Sequence, residues 1–370
     1  MKKNIKERIA KLQAVLKEKD LDAALIYDRE NLIYFAGVDD LEGGVLCIPV
    51  TGEPELFCLA WDGVHMKETS GIDKVTPYPF PQESHSLKAA QWLKKQGYEH
   101  PKVGFTRYFI SLKDYQLLLA TVPDFTVGDI AVECYKLRSI KCQEELDLMQ
   151  KVAGFLDKGM EAAVQFVHPG VTETEVLAEA EYAMAKAGSQ GSPFRMQVLC
   201  HERQMLMHPY ASSARIKDNE PVVIHLGASL NGYVAKMCRT IFLGNAPQTC
   251  LDIYACLRQA QKVAMESIKP GVTCGQVFDV TTAYVASTPF APYWKLDHIG
   301  YGVGIRQSEF YPIIAKGSNV ILKENMVVDL LLPTLYKPGM GGPRITDTIK
   351  ITAQGAQFMT SYNRENIIKK

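Results

Sequence analysis

The stretch PVVIHLGASLNGYVAKMCRTIFLG, residues 221–244, reads as two strand-like runs, PVVIHLGA and YVAKMCRTIFLG, rich in β-branched and aromatic side chains. Period-two alternation along YVAKMCRT puts Val234, Lys236, Cys238 and Thr240 on one face. Upstream, CQEELDLMQKVAGFLDKGMEAAVQFV (142–167) has helical spacing and stops at His168-Pro169-Gly170. A second helix restarts at Thr172, where T-E-T-E has the capping-box pattern, and MQVLC (196–200) is again strand-like. Downstream come a helix over 251–268 and strands around 326–332 and 344–352. Helices alternating with antiparallel strands predict an α+β domain over 139–370.

The N-terminal third reads differently. Ile5, Ile9, Leu12 and Leu16, with Val15 beside them, have helical spacing, and LDAALIY (21–27) follows as a buried strand. GGVLCIPV (43–50), ELFCLAW (55–61) and KVGF (102–105) are further short strands, with a helix near Ser86–Gln96. An α/β domain over 1–132 is expected. No repeat and no low-complexity tract interrupts the chain.

Composition narrows the partners. Lys plus Arg balance Asp plus Glu at 41 each, so no overall basic field draws nucleic acid or an anionic membrane, and a small-molecule partner is favoured. The charged start MKKNIKERIAKLQAVLKEKD contains no apolar signal core, and no later segment has the length of a membrane span, so a cytoplasmic location is expected. Nine cysteines without CxxC spacing fit reduced thiols better than a disulfide frame or a zinc knuckle.

Five stretches together resemble the creatinase/prolidase superfamily, the M24 or "pita-bread" proteins. They are RIAKLQAVLKEKDLDAALIYDRENLIYFAGV (8–38), LRSIKCQEELDLMQKVA (137–153), the opening stretch, IGYGVGIRQSEFYP (299–312), and ENMVVDLLLPTLY with GGPRITDTIKIT (324–352), in that family's order and spacing. The resemblance implies a creatinase-like N-terminal domain, a pita-bread C-terminal domain and a homodimer. In the metal-dependent members two Asp, one His and two Glu hold a pair of divalent ions that activate water. Carried over position by position, these five fall on His225, Lys236, Tyr301, Leu331 and Thr346, or on Leu332 in place of Leu331 if the alignment is anchored at Pro333. Leucine has no donor atom, threonine is a poor ligand and a protonated lysine repels a dication. No metal or other cofactor is therefore expected.

Asp329 lies two residues before Leu331, and alternation puts both on one face, so Asp329 is the expected counter-ion of Lys236. His208 lies seventeen residues before His225, where creatinase, which uses no metal, resembles this chain in placing its catalytic base. A creatinase glutamate corresponds to Cys238, and a later family histidine to Ser308. The catalytic candidates are therefore His208, Lys236, Cys238 and Tyr301; His225, Arg344, Asp329, Thr346, Ser308 and Leu331 are candidates for holding the substrate.

Each has a plainer reading. Lys236 serves either as a structural ion pair or as a carboxylate anchor, and Cys238 either as a small core hydrophobe or as a nucleophile if a neighbour lowers its pKa. Tyr301 is expected to hydrogen-bond His225, or else to stabilise an oxyanion. Arg344 holds either a substrate carboxylate or an acid such as Asp329 or Glu309. Gly300, Gly302 and Gly304 do not make a nucleotide loop without a strand-to-helix context. The leading expectation is a metal-independent hydrolase that cleaves a C–N bond of a small amino-acid-derived substrate. The alternatives are a non-catalytic ligand-binding relative and an Xaa-Pro dipeptidase or aminopeptidase P-type peptidase.

Overall fold

The computed structural model describes residues 2–98, 100–106, 110–331 and 335–369, and the chain divides into two compact units, Met1–Arg138 and Ser139–Lys370. The elements of the first are α1 (Lys2–Glu18), β1 (Ala23–Ile26), α2 (Arg29–Ala36), β2 (Val45–Pro49), β3 (Glu55–Leu59), α3 (Gly63–Thr69), β4 (Lys74–Tyr78), α4 (His85–Lys95), β5 (Lys102–Phe105), α5 (Leu112–Thr121), β6 (Thr126–Asp129) and α6 (Ala131–Ser139). The strands form one mixed sheet in the order β4-β3-β2-β1-β5-β6. Ile5, Ile9, Leu12 and Leu16 are all buried, as expected for one stripe of a helix against a core. β1 is buried on both faces, because helices cover the sheet on either side. Ala23, Leu25, Val45 and Cys47 pack with Trp92 of α4 and Leu118 of α5. On the other face Gly104 leaves room for Leu16, which a Cβ there would approach to 3.3 Å.

The second unit contains α7 (Gln143–Phe166), α8 (Glu173–Ala187), β7 (Gln197–Leu199), β8 (Pro221–Leu230), β9 (Tyr233–Leu243), α9 (Gln248–Ser267), α10 (Cys274–Ala286), β10 (His298–Gly302), β11 (Glu309–Ala315), β12 (Val327–Leu330), β13 (Thr346–Thr352), β14 (Gly355–Phe358) and β15 (Ile367–Lys369). The capping box at α8 forms: the Thr172 hydroxyl accepts from the Glu175 N–H at 3.2 Å, and the Glu175 carboxylate accepts from the Thr172 N–H at 2.6 Å. Seven strands run in the order β11-β10-β12-β13-β9-β8-β7, with β14 joined to β13 and β15 to β9.

The two faces of this sheet differ in chemistry. Val222, Ile224, Leu226 and Ala228 of β8 and Ala235, Met237 and Ile241 of β9 pack against α7 and α8. Val328, Leu330, Ile349 and Ile351 join the core formed with α9 and α10. The helices thus cover one face along the whole sheet, and alternation turns the intervening residues to the other. Those residues are His225, Lys236, Cys238, Asp329, Thr346 and Thr348.

Candidate functional site

Register sets these residues in cross-strand rows. His225 lies opposite Gln197 on one side and Cys238 on the other, and Cys238 lies opposite Thr346. One same-face step along the strands, Lys236 lies opposite Gly227, and Asp329 lies opposite Thr348. The Thr348 hydroxyl joins those two pairs, accepting from the Lys236 N–H at 2.9 Å and donating to the Lys236 carbonyl at 2.9 Å. One step the other way, Thr240 does the same for Arg344, accepting from its N–H at 2.8 Å and donating to its carbonyl at 3.0 Å. Rows on one face are roughly 7 Å apart. Two cations therefore bracket the His225–Cys238–Thr346 row.

Lys236 is paired with Asp329, Nζ to Oδ2 at 2.6 Å, with side-chain exposures of 6% and 0%. The lysine donates its hydrogen bond to the Ser308 hydroxyl at 3.3 Å, and the other Asp329 oxygen accepts from the Tyr301 N–H. Gly300 is required beside this pair, since a Cβ there would lie 2.3 Å from the Asp329 carbonyl oxygen. Gly302 is likewise needed, since a Cβ there would lie 2.7 Å from the Tyr311 carbonyl oxygen, so Gly300 and Gly302 serve close strand packing.

His225 lies against the Phe194 ring at 5.0 Å between centroids, and its Nε2 is buried without a hydrogen-bond partner among the described residues. The bond expected from Tyr301 does not form; Tyr301 turns to His298, with ring centroids 5.1 Å apart. Burial, followed by the charges of Lys236, Arg344 and His208, holds the His225 pKa well below the ordinary histidine value, so the ring is neutral. Gly227 makes room for Phe194, because a Cβ at 227 would lie 2.2 Å from that ring.

Arg344 is 1% exposed and has no carboxylate partner among the described residues, so of its two readings the pairing with an acid such as Asp329 or Glu309 does not occur. It donates instead to the Gln197 side-chain oxygen at 3.0 Å and to the carbonyls of Gln204 at 2.5 Å and Leu206 at 3.1 Å. Gln197 in turn donates to the carbonyls of Met207 at 3.3 Å and Pro209 at 3.4 Å, and Arg195 donates to that of His208 at 2.6 Å. Glu173, wholly buried at the start of α8, ties down the same segment through the Cys200 and Ser212 N–H groups at 2.9 Å and Arg203 at 2.9 Å. The loop that carries His208 is thus fixed by its backbone. The His208 side chain is exposed, and no described side chain hydrogen-bonds its ring. Partial desolvation, then Arg344, Arg195 and Lys236, lower its pKa.

The remaining candidates are less available than their sequence positions suggest. The Thr346 hydroxyl donates to the Leu331 carbonyl. β12 ends at Leu330, so alternation does not reach Leu331, whose side chain joins the buried apolar cluster with Leu330, Leu335 and Ile345. Leu332 and Pro333 lie outside the described residues. Cys238 packs with Leu199 and Val223, and burial pushes its thiol up to about 12 despite the nearby charges of Arg344 and Arg239. At pH 7 roughly one such thiol in 10^5 is ionised. Cys238 should accordingly stay unlabelled when the native protein is treated with iodoacetamide at pH 7 and its peptides are read by mass spectrometry. Labelling within minutes would restore the nucleophile reading.

Gln197, Gln204 and Phe194 are the positioning residues that the sequence reading passed over. A glutamine inside the apolar run MQVLC was the available signal. Nothing local marks Phe194.

Residues 147–353 match metallopeptidase family M24, and residues 8–140 match the creatinase/prolidase N-terminal domain. The chain belongs to metallopeptidase family M24. It is 30% identical to the Xaa-Pro dipeptidase of Pyrococcus furiosus over 98% of this chain and 99% of that one. Its structure superposes on the prolidase of Pyrococcus horikoshii with a TM-score of 0.88 at 28% identity, over 97% and 99% of the two chains. For the Xaa-Pro dipeptidase of Bacillus anthracis the TM-score is 0.90 at 26% identity, over 99% and 100%. The M24 fold, a creatinase-type N-terminal domain followed by a pita-bread domain, is therefore that of this chain. No helix among the described residues is long and apolar enough to cross a membrane.

The family name implies a metal, and the donor set on this M24 face does not suit one. Asp329 is already neutralised by Lys236 at 2.6 Å, and the same face carries a second cation, Arg344. Among the described residues no three His, Cys, Asp or Glu side chains gather closely enough to hold an ion. A hard dication needs several anionic oxygens, and here it would meet an ammonium group instead.

Proposed function

We propose that this M24 chain has lost all five metal-ligand positions and handles a small amino-acid-derived molecule without a bound metal pair, as a hydrolase acting on a C–N bond. The observation that carries the reading is the Lys236–Asp329 ion pair at 2.6 Å, which occupies the pocket face with a fixed cation. His208 is the general base: it lies on a backbone-anchored loop, and partial desolvation followed by the nearby cations lowers its pKa and favours the unprotonated ring. Because no described side chain orients its ring, the substrate must supply the second contact that aligns it. Lys236 and Arg344 supply the positive field for a substrate carboxylate and for negative charge developing on the carbonyl oxygen.

The comparisons favour the other reading, an Xaa-Pro dipeptidase, because relatives bearing that name align over 98% of this chain. One experiment separates the two. Protein dialysed and then incubated with manganese, cobalt or zinc is expected to retain less than about one ion per chain by elemental analysis. It is also expected not to release proline from Xaa-Pro dipeptides when metal is added. Two retained ions with metal-stimulated cleavage would overturn the metal-free reading and establish the peptidase.

A further inference from the structure

Two buried arginines, Arg239 on β9 and Arg344 just before β13, have opposite fates. Arg239 faces the helices, is fully buried, and is matched by Asp347, Nη2 to Oδ1 at 2.7 Å. Arg344 faces the other way and is equally buried, but its hydrogen bonds go to a neutral amide and two backbone carbonyls, and its Nε has no partner among the described residues. In the adjacent row, His225 Nε2 is also buried without a partner. Lys236 stands on the far side of that row. Asp329 neutralises one of the two cations, and no described carboxylate neutralises the other. Buried cations are ordinarily paired, and unsatisfied buried donors are costly, so an anion that reaches these two donors gains the missing interactions.

We infer that the row between Lys236 and Arg344 is an oxyanion site, in which Arg344 Nε and His225 Nε2 donate to a carboxylate or phosphate-type group. This deepens the metal-free reading and rests on it: where the family's metal-dependent members place cations among carboxylates, this chain presents cations to an anion. Phe194, seated over His225 and Gly227, shields the site from water and so strengthens charge-assisted hydrogen bonds within it. The depressed pKa of His225, after burial, reflects the same excess of positive charge from Lys236 and Arg344.

The test is calorimetric titration and thermal shift of dialysed protein whose metal content has been measured on the same sample. Inorganic phosphate, sulfate, N-acetylglycine and N-acetylglycinamide are each compared with chloride at equal ionic strength. At least one oxyanion is expected to bind and raise Tm above the chloride control, while the uncharged amide does not. Binding of N-acetylglycine but not its amide assigns the site to an organic carboxylate; binding of phosphate and sulfate without N-acetylglycine assigns it to a free oxyanion. Affinity is expected to fall about tenfold or more in His225→Phe, which keeps the ring contact but removes the donor, and in Arg344→Gln if that variant folds. Lys158→Gln, at an exposed cation far along α7, controls for non-specific attraction and should bind as the wild type does. Metal-free protein in which no oxyanion outperforms chloride, or in which His225→Phe binds as tightly as wild type, overturns the oxyanion site while leaving the metal-free reading standing. Two bound ions per chain overturn that reading and this one with it.

Discussion

Lys236→Met is expected to lower the stability of the second unit by about 3–5 kcal/mol, because it leaves Asp329, fully buried, with an unbalanced charge. Asp329→Leu should cost at least as much, since it strands the ammonium and also removes the acceptor of the Tyr301 N–H. The double variant replaces the pair with apolar groups and should recover most of the loss seen in Lys236→Met, leaving the deficit of the Tyr301 N–H. Denaturant unfolding of all four proteins gives the coupling energy directly. A double variant as unstable as the sum of the singles would show that the two side chains do not interact, and the metal-free reading would lose its main support. The result also bears on function: a strongly coupled pair fixes a cation on the pocket face, as the metal-free reading requires.

Asp347→Leu should be more damaging still. This carboxylate is wholly buried and accepts from Arg239 at 2.7 and 3.3 Å, Gln261 at 3.1 Å, Thr360 at 2.6 Å and Arg364 at 3.1 and 3.3 Å. Burial works against the charge on Arg239, and Asp347, helped by Tyr254 and Cys238, more than offsets it, so that the Arg239 pKa stands above its ordinary value. Removing the aspartate leaves a fully buried guanidinium with no counter-ion and strips the network that joins β9, β13, α9 and the chain after β14. A loss of about 5 kcal/mol is at the upper end for breaking a buried pair, and the several orphaned donors place this variant there. A stability loss below about 1 kcal/mol, read from the shift in urea midpoint at an unchanged m value, would show that the network contributes little.

Asp347 and Thr346 are neighbours in sequence with unrelated roles, and alternation is the reason. The same rule makes much of the candidate site legible in the sequence. It placed Lys236, Cys238 and Thr240 on one face, set Asp329 within reach of the lysine, and together with the five family-like stretches pointed to a creatinase-type domain followed by a pita-bread domain. Helices with long apolar stripes, such as α7, were readable for the same reason: their period is local. Strands β4 and β6 escaped notice because they are short edge strands in which few side chains are buried, so no apolar pattern marks them.

The sequence by itself determined the fold family, the order of the elements and the face on which each strand residue lies, because those follow from short-range periodicity and from motifs in register. Which neighbour each side chain meets was decided by the tertiary structure. Tyr301 turned to His298, Arg344 bound the 204–206 carbonyls in place of an acid, and Leu331 left the pocket face where β12 ends at Leu330. A strand's period fixes direction within a few residues. The partner that a long side chain finds is set by loops and strands far away in sequence, whose positions only the packed chain defines.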